Sequence, residues 1–162
     1  MSGARILITG MSGVGKSSVL GALEDRGWRA VEADTDEALV EEHPDRTELR
    51  LPALEELLRE PVTALALALS VTGEGQGQLY PLADHVVLLT APWEVLRQRI
   101  ADRADNAFGK EPGQLDRIRA DLETYEPLLR QGADLVIDTS AAPFESVVDQ
   151  VAALATTPGE GR

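Results

Sequence analysis

The sequence predicts an α/β fold of three layers, in which helices cover both faces of a parallel sheet. Short apolar runs typical of buried strands alternate with longer segments of helical periodicity along the chain. A glycine-rich loop joins the first apolar run to the first helical segment. With 162 residues, the chain is long enough for one domain with its own core. We therefore expect one domain over residues 1–156 and a flexible tail over 157–162.

Five strands and six helices can be placed in order. The strands are expected at Arg5–Thr9, Arg29–Glu32, within Val62–Val71, at Val86–Thr90 and at Leu135–Asp138. The helices are expected at Lys16–Arg26, Asp36–Glu42, Leu49–Arg59, Trp93–Asp105, Gly113–Arg130 and Phe144–Leu154. Ligands of such sheets bind beside the carboxyl ends of the strands. Candidate site residues are therefore sought in the loops that follow the strands.

The loop after the first strand carries the most specific motif. It reads Gly-Met-Ser-Gly-Val-Gly-Lys-Ser and fits the phosphate-binding pattern G-x-x-x-x-G-K-[ST] at every fixed position, between a strand and a helix. Its amides and the helix N-terminus can hold a phosphate. Lys16 is expected to reach the β- and γ-phosphates of ATP, and Ser17 to offer its hydroxyl to Mg²⁺. The predicted nucleotide-binding residues of the loop are Gly10, Ser12, Gly13, Val14, Gly15, Lys16, Ser17 and Ser18.

Two carboxylates follow the second strand. Asp34 and Asp36 are expected to face the phosphate loop across the cleft. One carboxylate there could hold Mg²⁺ or accept a proton from an attacking hydroxyl. Asp36 also suits a helix cap. We therefore predict Asp34 as the catalytic carboxylate and a metal ligand, and both aspartates as substrate-binding candidates.

A pair of arginines follows the fourth strand. Arg99 and Arg103 are four residues apart, which puts them on one face of a helix. A polar loop at about residues 104–114 follows and fits a lid that closes over a triphosphate. Both arginines are predicted to bind the nucleotide and to assist catalysis. The alternative is a solvated helix face with aspartate partners.

Two further strand ends carry polar candidates. The stretch after the third strand alternates glycine with polar residues, so Gly73, Glu74 and Gln76 are predicted to contact the substrate. A simple turn is the alternative. Thr139, after the last strand, is predicted to line the purine of the nucleotide, although a helix-capping turn fits equally well.

Charge and composition limit the partners. The formal net charge of -13 disfavours nucleic acid, because a phosphate polymer would be repelled. Between Glu32 and Glu60, eleven acidic residues face only three arginines, which favours a neutral or cationic acceptor over an anionic one. An acidic solvent-facing surface is the other reading. The chain has no cysteine and no long apolar run, so we expect a cytoplasmic protein without a membrane partner.

These motifs resemble those of the P-loop kinases of small molecules and nucleotides, in particular the shikimate kinase and adenylate kinase branch, and of bacterial AAA family ATP-binding proteins. The resemblance implies the P-loop NTPase fold, a five-stranded sheet of order 2-3-1-4-5, ATP and Mg²⁺ as cofactors, a substrate cap at about 34–60 and a short lid. Asp34-Thr35-Asp36 is similar to the family's Asp-x-Asp, and Arg50 falls where the family's substrate arginine tends to lie. Glu126 stands where shikimate kinases carry an arginine for the substrate carboxylate, so shikimate is not the expected substrate.

The leading interpretation is an ATP- and Mg²⁺-dependent kinase that phosphorylates a hydroxyl of a small molecule. A nucleoside monophosphate kinase is the first alternative. A regulatory ATP-binding protein or ATPase without an acceptor is the second. The expected partners are ATP and a small-molecule substrate, and the expected state is a monomer or homodimer.

Overall fold

The computed structural model describes residues 3–11, 13–44, 47–102 and 113–156. Its centre is a five-stranded sheet in which all neighbouring strands are parallel. The spatial order is β2-β5-β1-β6-β7, which is 2-3-1-4-5 when only the strands of this sheet are counted. The predicted fold and strand order are thus confirmed. The strands are β1 (Ala4–Thr9), β2 (Arg29–Glu32), β5 (Ala66–Ser70), β6 (His85–Thr90) and β7 (Leu135–Asp138).

Helices cover both faces of this sheet. Because alternate side chains of a strand point to opposite faces, Ile6 and Ile8 of β1 join one buried cluster, whereas Leu7 joins the other. The first cluster includes residues of the helices Lys16–Asp25 and Phe144–Ala153, and the second includes residues of the helix Leu51–Arg59. The helices are α1 (Lys16–Asp25), α2 (Leu51–Arg59), α3 (Trp93–Asp102), α4 (Gln114–Gly132) and α5 (Phe144–Ala153). Short 3₁₀ helices span Ala33–Thr35, Gln76–Leu82 and Leu154–Thr156.

The predicted helix at Asp36–Glu42 is wrong. Val40–Glu42 forms strand β3, which pairs antiparallel with β4 (Thr47–Leu49). Asp36 accepts a hydrogen bond from the backbone N–H of Ala38 at 2.9 Å and so stabilises a local turn. Fewer than two helical turns would fit in this segment, which is too little to repay helix nucleation. The next helix consequently begins at Leu51 rather than Leu49.

Two further predicted segments, the loop after β5 and the lid after α3, can be compared with the structure. The stretch after β5 was expected to be a glycine loop, but a 3₁₀ helix begins within it at Gln76. Helix α3 is described as far as Asp102, so the predicted lid at about 104–114 lies almost entirely outside the described residues. None of the helices in the described ranges combines the length and apolar character needed to cross a bilayer.

Candidate active site

The phosphate loop bends tightly at the end of β1. Gly10 has a φ of 154°, and a β-carbon there would lie 2.5 Å from the carbonyl oxygen of Leu89 and 2.8 Å from Cγ2 of Val14. Gly15, with a φ of 102°, is the residue before α1, and its carbonyl accepts the backbone N–H of Val19 at 3.1 Å. The loop therefore leads directly into a helix N-terminus, the arrangement that suits phosphate. Ser12 lies outside the described residues.

Lys16 is held against the loop and against the end of β5. Its Nζ donates to the carbonyl oxygen of Gly10 and to Oγ1 of Thr72, each at 2.6 Å. The Thr72 hydroxyl in turn donates to the same carbonyl at 2.9 Å. Nζ also lies 3.9 Å from Oδ2 of Asp34. Burial lowers the pKa of Lys16, and the carboxylates of Asp34 and Glu32 oppose that shift.

The adjacent Ser17 faces a different carboxylate. Its hydroxyl donates to Oε1 of Glu32, the last residue of β2, at 2.5 Å. Sequence reasoning missed Glu32 as a site residue, because fifteen positions separate it from Ser17 and no motif includes it. The available signal was its place at the carboxyl end of a predicted strand.

Asp34 occupies the 3₁₀ turn that follows β2. Burial raises the pKa of its carboxyl group, the charge of Lys16 lowers it, and the charge of Glu32 raises it further. The net shift is upward, so Asp34 binds a proton more readily than a surface aspartate does. Asp36 is exposed, and its carboxylate caps the following turn.

Gln76 supports the loop after β5 from beneath. Its Oε1 accepts the backbone N–H of Gly73 at 3.0 Å, while its Nε2 donates to Oγ1 of Thr9 at 3.0 Å and to the Tyr80 hydroxyl at 2.9 Å. Its side chain is buried, whereas that of Glu74 is exposed. Gly73 packs closely against the end of β4, since a β-carbon at Gly73 would lie 2.8 Å from Cγ of Leu49.

Arg99 braces the outside of the phosphate loop. Its Nη1 donates to the carbonyl of Gly13 at 3.1 Å and to Oγ1 of Thr139 at 2.8 Å. The Thr139 hydroxyl donates to the carbonyl of Val14 at 2.9 Å. The predicted nucleotide residues Arg99 and Thr139 thus lie together beside the loop. Arg103, the second arginine of the predicted pair, lies outside the described residues.

Arg50 interacts with the β3–β4 region. Its Nε donates to the carbonyl of Glu37 at 3.1 Å, and its Nη1 lies 3.9 Å from Oε2 of Glu41.

Among the predicted residues, Lys16, Ser17 and Asp34 lie in one cluster. Glu32 and Thr72, which were not predicted, belong to the same cluster.

Comparison with known proteins identifies the family of the chain. The sequence model of one family, described as an AAA domain, matches residues 6–122. The chain belongs to this AAA domain family. A relative called nucleotide-binding protein RSal33209_2275, from Renibacterium salmoninarum, is 30% identical over 168 residues, covering 95% of this chain and 51% of that protein. A nucleotide-binding protein of Acidobacterium capsulatum is 33% identical over 146 residues, covering 83% and 44%. The AAA domain chain spans about half the length of these curated relatives.

Solved structures place the AAA domain chain in the P-loop kinase fold. Shikimate kinase from Acinetobacter baumannii, solved with shikimate, superposes with a TM-score of 0.66 at 18% identity, covering 95% of this chain and 93% of that one. A gluconokinase from Sinorhizobium meliloti 1021 gives a TM-score of 0.61 at 22% identity, covering 94% of each chain. The resemblance to P-loop kinases is confirmed at the level of fold.

Proposed function

We propose that this chain is an ATP- and Mg²⁺-dependent phosphotransferase that acts on a hydroxyl group of a small molecule. The observation that carries the proposal is that neighbouring residues of the phosphate loop meet two carboxylates. Lys16 lies 3.9 Å from Asp34, and Ser17 bonds to Glu32 at 2.5 Å. Phosphoryl transfer uses a lysine that binds phosphate, a hydroxyl and acidic side chains, and all of these lie together at this edge of the sheet.

The loop fits a nucleotide. Its glycines adopt left-handed backbone conformations, and the N-terminus of α1 follows them directly. In the proposed complex the loop amides bind the β-phosphate, and Lys16 exchanges Gly10 and Thr72 for phosphate oxygens. Burial disfavours the charged form of Lys16. An anionic ligand beside its Nζ would stabilise that charged form.

The carboxylates divide into a metal side and an acceptor side. The oxygens of Ser17 and Glu32 are hard donors of the kind Mg²⁺ prefers. When bound, the ion neutralises charge on the phosphates. Because Ser17 contacts Glu32 and Lys16 approaches Asp34, we assign Glu32 to the ion. Asp34, which sequence analysis predicts both as a metal ligand and as the catalytic carboxylate, is assigned to the acceptor.

Asp34 is the proposed general base. The acceptor oxygen forms a bond to the γ-phosphorus while the bond between that phosphorus and the bridging oxygen breaks, which releases ADP. The hydroxyl proton passes to the Asp34 carboxylate. The raised pKa of Asp34 makes it a stronger proton acceptor than an ordinary aspartate. Lys16 stabilises the charge on the transferred group.

The acceptor class follows from charge. With Glu32 assigned to the ion, Asp34 remains as the acid of the cluster that faces the acceptor, and exposed Glu74 lies on the loop after β5. An anionic acceptor would meet repulsion there, whereas a neutral or cationic alcohol would not. A nucleoside monophosphate is the competing acceptor, and its success in an assay would reverse this preference.

A second candidate function has its own support. The relatives are called nucleotide-binding proteins, and this chain covers about half of their length. The chain would then be a nucleotide-binding domain that hydrolyses ATP, or only binds it, under control of other parts of a larger protein. Nucleotide turnover without any acceptor distinguishes this candidate from a kinase.

The first test measures nucleotide binding and ATP turnover with a panel of alcohols, amino alcohols, sugars and nucleoside monophosphates. Lys16→Ala should lose nucleotide binding, whereas Asp34→Asn should bind nucleotide but lose at least about a hundredfold in transfer, the low end for general-base catalysis. Glu37→Gln, which removes an exposed carboxylate nearby, is the control. Rapid turnover without acceptor would favour the second candidate, and absence of nucleotide binding would refute both.

A separate test addresses Glu32. Nucleotide affinity is measured by calorimetry with Mg²⁺ and with EDTA. In Glu32→Gln the gain in affinity from Mg²⁺ should shrink, while in Asp34→Asn it should persist. The opposite pattern would return the metal role to Asp34.

A further inference from the structure

A cavity lies at the carboxyl ends of β6 and β7, between the start of α3 and helix α4. Its volume is about 480 Å³, within the range that small-molecule sites occupy. No described residue of the phosphate loop lines it, and neither do Glu32 and Asp34. The cavity is therefore separate from the proposed phosphoryl-transfer cluster.

One side of the cavity is apolar. Trp93, Leu122 and Val136 contribute to its wall. Val136 lies on β7, an edge strand, and is 38% exposed. The guanidinium of Arg119 lies 5.8 Å from the centre of the Trp93 ring and is itself paired with Glu123 at 3.5 Å. An exposed valine beside an indole in a concave surface provides a place for an apolar group.

The polar side is dominated by carboxylates. Glu126 accepts a hydrogen bond from the Thr90 hydroxyl, and its side chain is only 18% exposed. Arg130, the one cation on the described lining, lies 3.4 Å from Glu126 and is 52% exposed. Asp138 also lines the cavity, and hydrogen bonds from Ser140 lower the pKa of its carboxyl group, so it stays ionised. The described lining thus contains two carboxylates and one guanidinium.

We propose that this cavity binds a small organic amine. The apolar body of the ligand packs against Trp93, Leu122 and Val136, and its ammonium group binds Glu126. A half-buried carboxylate favours a cation because little water remains to screen it. Arg130 on the lining is paired with Glu126, and Arg119 beside the Trp93 ring is paired with Glu123, so an anion would have to compete with a carboxylate for either guanidinium. This inference does not depend on the proposed phosphotransferase activity.

The test uses three probes of similar size and different charge: 2-phenylethylamine, 2-phenylethanol and phenylacetate. Binding to the full chain is followed by the fluorescence of Trp93, and Trp93→Phe verifies the source of the signal, because the chain has only one other tryptophan. The amine should bind at least about tenfold more tightly than the alcohol, the advantage expected of a charge-assisted hydrogen bond. Phenylacetate should bind most weakly.

Variants of α4 test the assigned partner. Glu126→Gln should abolish the preference for amine over alcohol, and Arg130→Gln should increase it by releasing Glu126. Glu24→Gln, which removes the same charge from α1, should leave it unchanged. The proposal is overturned if the three probes bind equally, if none binds at millimolar concentration, or if the preference survives in a folded Glu126→Gln variant.

Discussion

Gln76 offers a sharp prediction, because sequence and structure suggest different uses for it. The side chain is 6% exposed and makes three hydrogen bonds, to the Gly73 N–H, the Thr9 hydroxyl and the Tyr80 hydroxyl. Gln76→Leu keeps much of the side-chain volume and removes all three. At about 1 kcal/mol for each bond, and more if the part-buried Gly73 N–H stays unpaired, the free energy of unfolding should fall by about 2–4 kcal/mol.

The assays are urea unfolding, for the free energy, and thermal unfolding, for Tm, both followed by circular dichroism. For a domain of this size, a loss of that order should lower Tm by roughly 5–15 °C. Gln78→Leu is the matched control, since Gln78 is exposed on the same 3₁₀ helix and should change stability by less than about 0.5 kcal/mol. If Gln76→Leu unfolds like the control yet loses substrate binding, the structural role is refuted and the substrate role predicted from sequence is supported.

Three further predictions follow from the site. Gly10→Ala should lower the free energy of unfolding by about 2–4 kcal/mol, because the added β-carbon would lie 2.5 Å from the carbonyl oxygen of Leu89. The control is Gly21→Ala on α1, where the added β-carbon meets no other atom within 4 Å. This control should raise the free energy of unfolding by about 0.5–1 kcal/mol in the same denaturation assay. Arg99→Met should weaken nucleotide binding several-fold by calorimetry, because the loop loses its brace, whereas Arg97→Met should not. The pKa of Asp34 is raised in the folded state, so its contribution to stability is fully present below about pH 3.8 and is lost as the pH rises through the raised pKa. Asp34→Asn should remove this decline from a plot of unfolding free energy against pH. An unchanged decline in the variant would contradict the assignment to Asp34.

The fold was largely predictable because its signals are local. Apolar runs define the five sheet strands, and the glycine-rich loop between β1 and α1 fixes the strand–loop–helix unit. The β3–β4 hairpin was missed because its stability comes from pairing Val40 with Leu49 across nine positions, which periodicity does not report. Asp36 contributed to the wrong helix prediction, because an aspartate that caps a turn cannot be told from one that caps a helix by sequence alone.

The candidate site was predictable where a motif of adjacent positions or the end of a strand identifies a residue. Lys16 and Ser17 follow from the loop pattern, and Asp34 from its place after β2. Glu32 and Thr72 join the cluster through contacts over 15 and 56 positions, and those depend on how β2 and β5 lie in the sheet. The pairing of these residues with Ser17 and Lys16 can be identified only when the strand order is known.

Phosphoryl transfer to a small alcohol is the central claim, and it can be measured directly. Wild type and Asp34→Asn are incubated with ATP, Mg²⁺ and the acceptor panel, and mass spectrometry follows the gain of a phosphoryl group on each acceptor. A phosphorylated neutral or cationic alcohol, formed by wild type and nearly absent with Asp34→Asn, is the predicted result. ATP consumption that yields only inorganic phosphate, unaffected by every acceptor, would contradict the account.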